Sequence, residues 1–215
     1  MKKSPNKKNN GLSRRVRFPE DEGRLPWLSL LLDAYAIADT GVAIALREEG
    51  KKRGRKLACA KGCGNCCVHQ QDLPLYPHEL VGIYWYASEN MESPLRDILR
   101  DRLANGADDS ACPFLINQSC SIHPLRPLGC RQFNVFTAPC APGEDPYFTR
   151  RDDVLTPLSE YTDRVFSAVL PFYNMKQTGD VVQSLRLVRA QLMNLRTFDW
   201  KKLVAIMDQT APRLS

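Results

Sequence analysis

Apolar positions recur at helical spacing along most of the chain. The longest run, Leu25 to Leu46, reads LPWLSLLLDAYAIADTGVAIAL, with Pro26 where a helix would start. It predicts one long, largely buried helix. Gly50 and Gly54, in the charged stretch Arg47 to Lys56, are expected to end it. Pro77 to Asn90 predicts a second helix, with Leu80, Ile83, Tyr84 and Ala87 on one face; the run Ile83-Tyr84-Trp85-Tyr86 reads as core packing. Pro94 to Ala104 predicts a third, with Leu95, Ile98, Leu99 and Leu103 as its stripe. Thr156-Pro157 reads as the cap and first-turn pair of a helix carrying Val165, Phe166, Val169, Leu170 and Tyr173. Gln183 to Leu195 predicts a further amphipathic helix, and Asp199 caps a last one running through Met207.

The periodicity fails between Asn105 and Asp153. That stretch holds six prolines, three glycines and four cysteines. It is too long for a structureless loop in a compact domain, so a bound metal centre is expected to order it. The fold class expected is mainly α: a helical domain with an irregular cysteine-rich section threaded through its middle. Residues 1–20 read as a disordered basic tail. Residues 21–215 read as one helical domain containing the cysteine-cluster region 57–142.

Charge sharpens the tail. Residues 1–56 carry fourteen Lys/Arg against seven Asp/Glu, and the rest of the chain is close to balanced. The first seventeen residues hold seven basic residues, no acid and almost nothing apolar, which favours a solubilising tail. No interleaved aromatics or second basic patch point to nucleic acid. Leu25 to Leu46 has bilayer-spanning length, but Asp33 and Asp39 lie inside it, each costing about 3 kcal/mol near a bilayer centre. It reads as a buried helix and not as a membrane span. The two aspartates are six residues apart and fall on different faces, so they form no paired-carboxylate site.

The basic start is not followed by the apolar stretch of a secretory signal, so a cytoplasmic location is expected. Thiols stay reduced there, which turns the cysteines from disulfide staples into ligands. Cys59, Cys63, Cys66 and Cys67 fall within nine residues, CAKGCGNCC; Cys112, Cys120, Cys130 and Cys140 follow at wide intervals. Thiolates select zinc, copper(I) or iron–sulfur clusters over hard ions. A zinc knuckle uses two closely spaced pairs. The wide second half suits a [4Fe–4S] cluster at least as well. The adjacent side chains of Cys66 and Cys67 diverge and can serve different metals, or one can be a redox thiol. Gly62 and Gly64 permit the tight loop. Lys61, Arg126 and Arg131 lie near the thiols in sequence. Arg126 and Arg131, flanking Cys130, are the better candidates to balance thiolate charge. His69 and His123 lie near cysteines and are candidate ligands or hydrogen-bond partners; His78 reads as structural. No G-x-S-x-G, P-loop or dinucleotide fingerprint occurs. The spacing Cys59-x3-Cys63-x2-Cys66 matches the cluster loop of radical S-adenosylmethionine enzymes. The chain lacks the strand–helix alternation of their barrel and has Asn65 where an aromatic is usual.

CAKGCGNCC followed by CPFLINQSCSIHPLRPLGCRQF resembles the YkgJ-type cysteine-cluster family, described as zinc- or iron-chelating proteins. The resemblance covers about residues 59–136. Cys59, Cys63, Cys66, Cys67, Cys112, Cys120 and Cys130 fall on its pattern, as do Arg126, Pro127 and Arg131. Cys140 lies beyond it, and His123 stands where Tyr is common. The resemblance implies a thiolate-held metal centre, with an iron–sulfur cluster favoured and zinc the alternative. A relative with this pattern, the flagellin lysine-N-methylase, is associated with an iron–sulfur cluster and S-adenosylmethionine. A cluster-dependent protein lysine N-methyltransferase is therefore a second expectation, and a structural zinc protein a third. The metal centre is the one partner the sequence specifies; any protein partner is unidentified from it.

Overall fold

The computed structural model describes residues 15–60, 62–106 and 111–210. The first fourteen residues of the expected basic tail, and Lys61, lie outside the described residues. The described part is mainly helical: α1 Pro19–Arg24, α2 Pro26–Arg53, α3 Asn65–His69, β1 Pro74–Leu75, α4 Pro77–Trp85, α5 Leu95–Ala104, β2 Leu115–Ile116, β3 Ser119–Cys120, α6 Leu128–Gln132, α7 Pro146–Thr149, α8 Ser159–Ala168, α9 Val181–Arg189, β4 Met193–Asn194 and α10 Lys201–Gln209. A π-helical turn, Tyr86–Asn90, extends α4 to the expected end of that helix.

The long helix is α2, 28 residues from Pro26. It outruns the expectation because Gly50 lies inside it; the left-handed Gly54, φ 64°, ends it. Residues 19–20, read as tail, belong to α1, and Arg15 pairs with Glu22 at 2.8 Å and Asp33 at 2.6 Å. α2 has the length and apolarity of a membrane-crossing helix, but here it packs against α4, α6 and α8. At its crossing with α8, a Cβ on Gly41 would lie 2.6 Å from Tyr161 Cβ, so only glycine allows this approach. Leu28, Leu31, Leu32 and Tyr35 bury one stretch of α2 against Trp85 and Leu125. Ala34 and Ala38 bury the next against Val165, Phe166 and Val169. A separate core joins α4, α5, α10 and the β2–β3 hairpin around Ile83, Leu99, Phe114, Ile122 and Leu203.

Some boundaries differ from the sequence reading. Ile98 is 45% exposed: the buried stripe of α5 is Leu95, Leu99 and Leu103. Bonding between Leu155 N and Asn134 O at 2.8 Å keeps the chain extended past Thr156-Pro157, so α8 starts later, at Ser159. It ends at Ala168, and Leu170–Tyr173 form a 3-10 turn around Pro171. The segment Gln183 to Leu195 is helical only to Arg189. Met193–Asn194 pair antiparallel with Pro74–Leu75, where the Asn194 side chain donates to Gln71 O at 3.0 Å. Trp200, not the expected Asp199, stands at the cap of α10; Asp199 lies one residue before it and accepts from Lys201 N at 3.1 Å.

The irregular section holds little regular structure. The β2–β3 hairpin turns through Asn117 and Gln118, both left-handed at φ 48° and 61°. Beyond it lie a 3-10 turn at His123–Leu125, the short α6 and α7, and two isolated bridges, Leu57 with Phe136 and Val135 with Val154.

Candidate metal centre

Cys63 closes a turn in which Gly62 has φ 81°, and the Cys63 amide donates to Ala60 O at 3.1 Å. Cys66 and Cys67 sit on the first turn of α3. A Cβ on Gly64 would stand 2.6 Å from Gln118 O, so glycine lets this loop lie directly on the hairpin turn. Cys59 is fixed from the far side of the irregular section: Ala58 N donates to Val135 O at 2.8 Å, and Val135 N donates to Cys59 Sγ at 3.3 Å. Cys112 N donates to Cys67 O at 2.6 Å. Cys120 lies on β3, and the Ile122 amide donates to its sulfur. Cys130 lies in α6.

These elements bring seven thiols to one cavity of about 450 Å³: Cys59, Cys63, Cys66, Cys67, Cys112, Cys120 and Cys130. Cys140 is not part of its wall. Asn65 Nδ2 donates to Cys140 O at 2.9 Å, and the Cys140 thiol lies within electrostatic reach of Cys59 and Cys66. All eight cysteines are free thiols. Among the described residues, no three His, Cys, Asp or Glu side chains stand close enough to hold one ion as they lie. His69 Nε2 accepts from Gly143 N at 2.8 Å, which ties α3 to the loop after Cys140. His123 is exposed and lines the cavity.

Burial raises the thiols. It pushes Cys120 and Cys140 up to about 11 and Cys130 well above its ordinary value, and it also raises Cys59. A hydrogen bond with Cys112, then burial, pushes Cys67 up to about 12; a hydrogen bond with Cys67 and burial raise Cys66. Thiolates in such a site need positive charge beside them, which a thiophilic metal supplies on binding. The donor set therefore fits such a metal.

The two arginines flanking Cys130 have different places. Arg126 lines the cavity, draws down Cys59, Cys66 and Cys120, and has a buried Nε with no partner. Arg131, 5% exposed, is absent from the cavity wall and lies behind Cys130. It donates to Asp39, to Arg126 O at 2.9 Å and to Pro124 O at 2.6 Å, and its guanidinium sits 3.9 Å from the Tyr35 ring centroid. Next to it, buried Glu79 accepts from Leu128 N at 2.6 Å, Tyr76 N at 3.0 Å and Tyr35 Oη at 3.4 Å. Glu79 thus joins the starts of α4 and α6 to α2. Burial pushes its carboxyl up to about 7. The sequence reading missed Glu79, Tyr35 and the partner of Asp39. The available signals were an aspartate in an apolar run and a glutamate three residues past a helix start. His78 is structural as read: buried, with Nδ1 2.7 Å from Tyr173 Oη and its imidazole pushed down by burial to about 3.

Residues 58–154 match the model of the CxxCxxCC family, described as a putative zinc- or iron-chelating domain. The match takes in all eight cysteines and supports metal binding by this section of the chain. No curated protein and no solved structure matches the chain.

Proposed function

We propose that the chain is an iron–sulfur protein whose clustered thiolates hold a [4Fe–4S]-type centre. The observation that carries this reading is seven thiols on one cavity. A closed zinc site and a [4Fe–4S] cluster each take four thiolates, and the wide spacing of Cys112, Cys120 and Cys130 departs from the paired knuckle of zinc and favours the cluster. Amide donors to sulfur at Cys59 and Cys120 and the guanidinium of Arg126, with its unpartnered Nε, support it, since both offset the negative charge of a thiolate-bound cluster. Bound there, such a cluster supplies one-electron redox chemistry. The chain's own residues hold it, shield it with the Phe114–Ile122 wall, and set its potential through Arg126. Eight free thiols favour a reducing, cytoplasmic setting. Anaerobic purification followed by iron, zinc and acid-labile sulfide analysis tests the reading. Iron with matching sulfide supports it; zinc without sulfide refutes it.

A further inference from the structure

The geometry points to two four-thiolate centres. Cys67, Cys112, Cys120 and Cys130 hold an inner one. Cys59, Cys63, Cys66 and Cys140 hold an outer one. The inference rests on the metal-binding reading above and extends it to the division of the thiols.

Packing makes the first separation. Cys112 is buried in the core built around Ile83, Leu99 and Phe114, and Cys67, Cys120 and Cys130 pack against that same core. None of Cys59, Cys63, Cys66 and Cys140 belongs to any core cluster of the described residues, and Cys63 is exposed.

The scaffolds separate in the same way. The inner set is tied together by the Cys112 N to Cys67 O bond, the β2–β3 hairpin and α6. The outer set is tied by other bonds: Cys59 to Val135, the Leu57–Phe136 bridge that leads on toward Cys140, and Asn65 Nδ2 to Cys140 O.

Cys66 and Cys67 supply the divide. Successive helical residues point about 100° apart, and the two thiols still hydrogen-bond to each other, so the two centres meet at this pair. Apart from Cys66, electrostatic proximity follows the division. The Cys59 thiol interacts with Cys63 and Cys66, and the Cys140 thiol with Cys59 and Cys66. The Cys67 thiol interacts with Cys112 and Cys120, and Cys130 with Cys120 and Cys67. Cys66 also reaches Cys67, Cys120 and Cys130, so the two centres adjoin there. Seven thiols leave one set of four a ligand short, and Cys140 completes it. Four thiolates complete a zinc site or a cluster.

The test uses the full chain purified anaerobically, with Cys63→Ser, Cys140→Ser and Cys112→Ser variants. Metal, sulfide and electron paramagnetic resonance of the reduced protein are measured, with circular dichroism as the folding check. The wild type is expected to carry two centres, about eight iron and eight sulfide if both are [4Fe–4S]. Cys63→Ser and Cys140→Ser should each lose half the metal and leave the same residual signal. Cys112→Ser should leave the other signal. If Cys112→Ser fails to fold, the two outer variants decide alone. Full metal retention in Cys140→Ser, or complete loss in Cys63→Ser, overturns the division. Two zinc ions per chain lost one at a time would keep the division and refute the iron–sulfur reading. About four iron per chain, all lost in Cys63→Ser and none in Cys140→Ser, would do the reverse.

Discussion

Arg131 donates from Nη1 to both carboxylate oxygens of Asp39, at 2.9 and 3.1 Å, across 92 residues of sequence. The pair joins α2 to the segment that carries Cys130, so the longest helix positions one wall of the metal cavity. It also explains an aspartate inside the most apolar run of the chain. Removing Arg131 takes the guanidinium from a carboxylate that is 22% exposed. Arg131→Ala, which also loses two carbonyl partners and the Tyr35 ring, should cost about 3 kcal/mol or more in denaturant unfolding. A loss under about 1 kcal/mol would place the pair among weak surface ion pairs.

Glu79 predicts a pH dependence. Its folded carboxyl titrates near 7, above the ordinary value of 4.5. Between those values the folded chain binds more protons than the unfolded one. Its contribution is therefore fully present below about pH 4.5 and is lost as pH rises toward about 7. Glu79→Gln should remove that slope, so the stability of wild type minus that of the variant should fall as pH rises through the window. Parallel curves would contradict the assignment. Taking the difference cancels what metal loss does to both proteins.

Gly64→Ala forces a Cβ onto the carbonyl of Gln118, which is backbone and cannot swing aside. The loop carrying Cys63 and Cys66 must then lift from the hairpin. The expected cost is about 1–3 kcal/mol, with metal content lowered relative to wild type. Unchanged stability and full metal content would show that the two loops do not depend on this contact.

Arg126→Gln removes the cation at the cavity. A cluster gains negative charge on reduction, so its loss should lower the midpoint potential. Spectroelectrochemistry reads this directly. An unchanged or raised potential would place the guanidinium outside the cluster's field.

Stripping the metal under reducing conditions should loosen residues 105–153 selectively. Limited proteolysis should open that section while α2 and α8, held by their own apolar contacts, keep their helical signal. The same cleavage pattern with and without metal would mean that the section folds without it.

The helices were legible because each buries one face, and 3.6-residue spacing shows that face directly: Leu80, Ile83, Tyr84 and Ala87 all pack into one core. Ile98 and the Gln183–Leu195 segment were misread for the converse reason. A stripe two residues wide at each turn does not say which of Ile98 and Leu99 meets α10. The pairing of Met193 with Leu75 is a long-range bond invisible in local pattern. The cysteines pointed to a metal centre, and seven of them do line one cavity. What spacing does not carry is the network behind them. Glu79, Tyr35, Asp39 and Arg131 come from three distant segments, and only folding shows that they meet.

The most direct test is anaerobic purification of the full chain with iron, zinc and acid-labile sulfide counted per chain beside its visible absorption spectrum. The iron–sulfur reading predicts a brown protein with iron and sulfide in equal amounts. A colourless protein holding zinc and no sulfide would contradict it.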